Sequence, residues 1–278
     1  MNLPTNTELP FFAYGLFRKG QISHFRIKSE ISKIKANYSI NGLLRIRDGI
    51  TIIDATITDR KVIGDLIFFD EDKSKIAYES ICLLEPKKYY KWSEIQTDFG
   101  KANLLVGVKP HLGSVEDLDS WDSWSDPLFT VSFELIEEAI SNSDKDDFWS
   151  GKQFLRLQMA YLLLWSSIER FVALRYNFRG DHIIQNITNL TKEPKFKELI
   201  LRCNEKRVLY SSDNVENKIK FDKNDSLMCI KYYYQIRSNI THRGKASIQD
   251  VKLVKECLIE LKRIFEKIID DAKNESRQ

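Results

Sequence analysis

The spacing of apolar residues changes once along this chain, and that change bounds what it can fold into. From Pro10 to about Pro110 the apolar residues come in short runs: FFAYGLF, YSINGLLRI, ITIIDATI, KVIGDLIFF, WSEIQT and NLLVGVKP. The breaks between them include Asn41-Gly42, Asp48-Gly49 and Phe99-Gly100. Runs of this length bounded by turn residues read as strands, and DKSKIAYESICLLE is the one helix expected among them. Farther on the period becomes helical. Phe154, Leu157, Tyr161, Leu164, Ile168 and Phe171 alternate spacings of three and four and form one apolar stripe on a long helix. Val251, Val254, Leu258, Leu261, Phe265 and Ile268 repeat the pattern in the last helix, where the stripe closes either a bundle or a dimer seam. Between them, Asp225 is placed to cap a helix carrying Cys229, Tyr233, Ile236 and Ile240. The expected fold is α+β, a strand-rich unit followed by an all-α bundle.

The stretch HLGSVEDLDSWDSWSDP separates the halves. It contains no Lys or Arg, gathers Glu116, Asp117, Asp119, Asp122 and Asp126 around Trp121 and Trp124, and reads as an acidic linker over 113–126. With 278 residues and 42% apolar composition the chain can bury two cores. Its formal charge of +3 is a small difference between 43 bases and 40 acids, so any nucleic-acid site has to be a local patch. Cys82, Cys203, Cys229 and Cys257 include no Cys-x-x-Cys, which suits buried thiols in a reducing compartment and a cytoplasmic location. The opening MNLPTNTELP lacks the features of a signal peptide, and no apolar run is long enough to cross a bilayer, so no membrane association is expected. His24, His111, His182 and His242 are scattered without metal-ligand spacing, and neither metal nor cofactor is expected.

The segment IRSNITHRGK follows three consecutive tyrosines, Tyr232 to Tyr234, and sets Arg237 five residues before His242. On a straight helix these two side chains point about 140° apart. A shared site therefore requires the helix to end, with Gly244 as the stop that frees His242 to turn inward, or a second copy of the motif across a dimer. The alternative is structural: Arg237 pairs with Glu169 inside the bundle, while His242 and Arg243 sit at the negative end of the helix dipole.

A long helix containing SSIERF, a Tyr-rich helix, Arg-x4-His followed by a basic-glycine pair, and a final long helix together resemble a HEPN domain. The resemblance runs over roughly Pro127 to Lys273, in a helical domain expected at 127–275. It implies a metal-independent endoribonuclease of the kind found among microbial toxins and antiviral-defence effectors, cutting RNA at a homodimer interface. His242 then moves protons and Arg237 holds the phosphate, with Glu169, Ser238, Asn239, Arg243 and Lys245 as supporting or RNA-binding residues. Many members carry Asn, Asp or His after the arginine, where this chain has Ser238.

In the first half, FFAYGLFRKG, Asn41-Gly42, Val62 to Leu66 and LLEPKKYYKW resemble the gamma-glutamyl cyclotransferase-like fold, a small barrel-like domain expected over 9–112. The resemblance implies that the turn at Tyr14, Gly15 and Leu16 presents backbone N–H groups to a substrate carboxylate and that Glu85 is the acid/base. The family usually has Ser, Thr or Asn where this chain has Leu16, and commonly Gly where it has Pro86. Without such a role, Glu85 is a helix-end carboxylate paired with Lys87 or Lys88. Three readings follow: an RNA-cleaving effector whose first domain senses a small γ-glutamyl-like ligand or recruits a partner, which the sequence favours; a cyclotransferase dimerised by its helical half; and a non-catalytic binding protein.

Overall fold

The computed structural model describes residues 1–47, 49–112, 115–118, 120–143, 151–176, 187–206, 208–211, 216–243 and 248–278, apart from the side chains at 115, 243, 248 and 249. The fold is α+β, with sheets in the N-terminal region and helices in the C-terminal region. Two compact units are present. One comprises Met1–Trp124, Leu174–Arg179 and Lys273–Gln278, the other Ser125–Ala173 and Gly180–Ala272.

The first unit is built on β1 (Phe11–Ala13), whose three residues are all buried because it is hydrogen-bonded on both sides. It pairs antiparallel with β5 (Lys61–Phe69) and parallel with β7 (Gly100–Gly107). The outer strands β2 (Ile31–Asn41) and β6 (Tyr90–Thr97) complete the order β2-β5-β1-β7-β6. Gly64 permits the close β1–β5 approach, since a Cβ there would lie 2.4 Å from the carbonyl oxygen of Ala13. The sheet has two open edges. At one end they come together, where the amide of Asp98 donates to the Tyr38 hydroxyl at 2.9 Å. A second, three-stranded sheet runs β4 (Ile50–Asp54), β3 (Leu43–Arg47), β8 (Val115–Leu118). The expected helix is α1 (Ser74–Leu84), which buries Ala77, Tyr78, Ile81 and Leu84.

Three details differ from the sequence expectation. The run FFAYGLF is a strand only to Ala13, because the chain turns at Gly15, where the amide of Arg18 donates to its carbonyl at 3.1 Å. The strand β2 begins well before YSINGLLRI. Its first residues, including Lys33 and Lys35, leave one edge solvated, and a register shift between Lys35 and Tyr38 with Asn37 at φ 55° interrupts its period. The acidic stretch expected as a linker supplies β8, held to β3 partly by an ion pair between Asp117 and Arg45 at 3.0 Å. Trp124 is buried there, its Nε1–H donating to the Gly20 carbonyl at 2.7 Å. Asp48 and Asp119 lie outside the described residues.

The second unit contains α2 (Val131–Asn142), most of α3 (Gly151–Arg175), α4 (Pro194–Ile200), a short β9–β10 hairpin (Leu209–Tyr210 and Lys218–Ile219), α5 (Ser226–Arg243) and most of α6 (Ile248–Arg277). Asp225 caps α5, its Oδ1 accepting from the amides of Leu227 and Met228 at 2.9 and 3.1 Å. The stripe of α3 is buried throughout, and Phe171 meets Phe265 edge-to-face at 5.5 Å. The stripe of α6 is also no more than 4% exposed within the chain itself. It is bundle core rather than a dimer seam. All four cysteines are free and buried.

Candidate functional site

Glu85 follows the last turn of α1, where its amide still donates to the Ile81 carbonyl at 3.0 Å while its own backbone is extended. That geometry turns the side chain into the unit's interior, and the residue is 6% exposed. It borders a cavity of about 10 Å³ with Tyr14, Gly15, Leu16, Thr51 and Tyr90, closed further by Phe17 and Leu105. The structure therefore brings together the small-ligand residues expected from sequence, Tyr14, Gly15, Leu16 and Glu85. The volume admits about one water. Leu16 and Phe17, only 4% and 2% exposed, are packed into its wall. The expected pairing of Glu85 with Lys87 or Lys88 does not occur, and Lys88 instead lies over the Tyr89 ring at 4.8 Å.

Burial lifts the Glu85 carboxyl from the usual range to about 8, with nothing to offset it. Asp54 shows what partners change. It is fully buried, yet hydrogen bonds from the Thr56 amide and hydroxyl and the nearby His111 and Arg45 outweigh burial and hold it below its ordinary value. The tyrosines beside Glu85 are satisfied: Tyr14 donates to the Leu105 carbonyl at 2.8 Å and Tyr90 to the Thr51 carbonyl at 2.6 Å. Burial first, then the Glu85 charge, raises both phenols well above their usual values. At pH 7 they are neutral. Gly15 is required by space, because a Cβ there would fall 2.5 Å from Thr51 Oγ1. Thr51 does not stand out in the sequence, where ITIID reads simply as a core strand.

The second set of expected residues is on α5. His242 does not turn inward: the helix continues through Arg243, and His242 is exposed on it. Arg237 and His242 therefore share an uninterrupted helix, whose pitch directs them apart. Gly244 and Lys245 lie outside the described residues, as do His182 and the Arg243 side chain. Arg237 reaches Glu169 at 3.8 Å, both side chains being about 30% exposed, and its guanidinium lies 5.5 Å from the Tyr234 ring centre. Burial raises the Glu169 carboxyl and the Arg237 charge partly offsets this. Asn239 is used elsewhere. It accepts from Gln235 at 2.9 Å, donates to the Tyr210 carbonyl at 3.1 Å, and borders a different cavity of about 240 Å³ with Gln158 and Leu253. Ser238 is half-buried, and its carbonyl accepts from Thr241 at 2.9 Å.

Among the described residues no three His, Cys, Asp or Glu side chains form a metal-binding group, and no helix is long and apolar enough to cross a membrane. No protein-family model matches the chain, and no curated protein matches it. Among solved structures, the crystal structure of an uncharacterized protein from Pyrococcus horikoshii is similar over 43% of this chain and 93% of that one, at 22% identity and a TM-score of 0.34.

Proposed function

We propose that the sheet-containing unit takes a small molecule bearing a γ-glutamyl-type amine at the Glu85 cavity and that Glu85 is its acid/base. One observation carries this reading: a buried carboxyl with a pKa near 8 faces a cavity also bordered by the Tyr14-Gly15 turn. The approach of the sheet's open edges at Tyr38 and Asp98 supports a barrel-like, cyclotransferase-like domain. In the reaction Glu85, as carboxylate, accepts a proton from the substrate ammonium. The freed amine attacks the γ-carbonyl carbon, a ring C–N bond forms, and the original C–N bond breaks. Glu85 then returns the proton to the leaving nitrogen, and the ring nitrogen gives its second proton to the released amine, so that 5-oxoproline and an ammonium are the products. Glu85 is ionised in about one molecule in ten at pH 7, so kcat/KM rises with pH toward a limb near 8. A panel of γ-glutamyl amines, with 5-oxoproline release followed by mass spectrometry, tests the reading. Wild type turns one over and Glu85→Gln does not; no release and no binding by wild type would sink it.

A second reading is favoured by the solvent access of both Arg237 and His242 on the last turns of α5. In it the helical unit cleaves RNA without metal, and a second copy supplies the convergence that one helix denies. The attacking oxygen is the substrate's 2′-hydroxyl, so the product end is a 2′,3′-cyclic phosphate. Cleavage in EDTA that disappears in His242→Ala supports it. Strict monomers at micromolar concentration, or activity that survives this substitution, count against it.

A further inference from the structure

The second unit holds a cavity of about 240 Å³ that neither reaction above uses. Four elements wall it: Gln158 comes from α3, Leu209 from β9, Ile236 from α5, and Leu253 and Val254 from α6. These five side chains are no more than 7% exposed and make its floor. Val208 and Tyr210 border the same space at 38% and 48% exposure, and Asn239 and Asp250 border it half-buried. A concave space with a mostly aliphatic floor, a few polar groups and large side chains left open at its mouth has the form of a small-molecule site.

The polar groups decide what kind of molecule fits. Asn239 is held in place from two sides, its Oδ1 accepting from Gln235 at 2.9 Å and its Nδ2 donating to the Tyr210 carbonyl at 3.1 Å. An amide oxygen has two lone pairs and a carboxylate about four, so Oδ1 of Asn239 keeps one after this contact, and a carboxylate retains acceptors beside any single partner. Asp250, in the first turn of α6, adds a negative charge to these acceptors. An anionic group entering here meets that charge, whereas an ammonium finds both an opposite charge and lone pairs.

We propose that this cavity binds an apolar amine, its body against Ile236, Leu253 and Val254 and its nitrogen at Asp250 and Asn239. The volume lies just below the range of about 300–1,000 Å³ typical of sites for drug-sized ligands, so the body is one or two rings. The inference rests neither on Glu85 nor on RNA cleavage. The occupant touches α3, β9, α5 and α6 together, and so braces the helix that carries Arg237 and His242.

Tryptamine, indole and indole-3-acetate share one ring system and differ in charge, so calorimetric titration of the full chain with each separates body from head group. Tryptamine is expected to bind about tenfold more tightly than indole, the worth of one charge-assisted hydrogen bond, and indole-3-acetate more weakly than indole. Asp250→Asn is expected to bring tryptamine to the affinity of indole and to leave indole unchanged. Leu253→Phe fills the floor and is expected to abolish binding of both. Should circular dichroism show that phenylalanine disturbs folding, Ile240→Trp obstructs the cavity from its half-buried side and is expected to do the same. Equal binding of tryptamine and indole, a preference for indole-3-acetate, or a tryptamine preference that survives Asp250→Asn overturns the amine assignment. No binding of any of the three at millimolar concentration, or binding that survives both Leu253→Phe and Ile240→Trp, overturns the site.

Discussion

Glu85 carries most of the chemistry that single residues of this protein can reveal. Its carboxyl titrates near 8 in the folded chain against an ordinary value of 4.5. A raised carboxyl favours the folded state while protonated, so its contribution is fully present below pH 4.5, falls as pH rises between these values, and is gone above about 8. A gap of this size corresponds to roughly 4–5 kcal/mol. Wild type should therefore lose melting temperature from pH 5 to 8, and Glu85→Gln should flatten that slope and melt higher than wild type at pH 8.5. An unchanged slope in Glu85→Gln would show that the carboxyl is not buried in solution. At Gly15, alanine must push against Thr51 Oγ1, at an expected cost of about 1–3 kcal/mol, read as a lower urea midpoint. Tyr14, Gly15 and Glu85 are legible because a turn and a helix end announce themselves in sequence. Thr51 is not, because one hydroxyl in an apolar strand leaves no mark until the turn above it is seen to be glycine. The inward turn expected of His242 fails for a related reason: a glycine two positions later suggests a helix stop that the described part of α5 does not reach.

At the scale of elements, the long helices are legible and the polar strands are not. Stripes such as Phe154 to Phe171 and Val251 to Ile268 repeat over many turns, and their burial follows from that repetition. The period cannot tell which partner covers a stripe, and α6 is covered by its own bundle. The first part of β2, ahead of Tyr38, and all of β8 escape notice because lysines or acids occupy positions that an edge strand turns to solvent. The cap of α5 gives a direct test. Asp225→Ala removes the acceptor for two amides and should cost about 1 kcal/mol, seen as a lower denaturation midpoint with an unchanged m-value. Arg237→Ala should cost no more than about 1 kcal/mol, because its contact with Glu169 is long and both side chains are partly solvated. A larger loss would mean that the pair is buried in solution, and the variant would then say little about RNA.

For the whole molecule, the chain order does not match the order of the units. Leu174–Arg179 and Lys273–Gln278 belong with the first unit, although Ser125–Ala173 of the second separates the former from Trp124 in sequence and Gly180–Ala272 separates the two from each other. Arg175 is 4% exposed, reaches Glu275 at 2.6 Å and lies over the Phe25 ring at 4.0 Å, while Ser276 contacts both the amide and the carbonyl of Gly20. Removing Lys273–Gln278 should therefore destabilise the sheet-containing unit by at least about 2 kcal/mol, the worth of a charged hydrogen bond, monitored by tryptophan fluorescence in urea. The amide and carbonyl of Gly20 lie just after the turn of Leu16 and Phe17 that walls in Glu85. The Gly20 carbonyl also accepts from Trp124, 104 residues on, while Ser276 is 256 residues away, which at ~5–20 residues per second means roughly ten to fifty seconds of synthesis before Ser276 exists. The amide of Lys19 already reaches Asp65 and the Gly20 carbonyl already reaches Trp124, so during translation the segment beside the Glu85 turn can be anchored early, and the contact with Ser276 is the last of its anchors to be made.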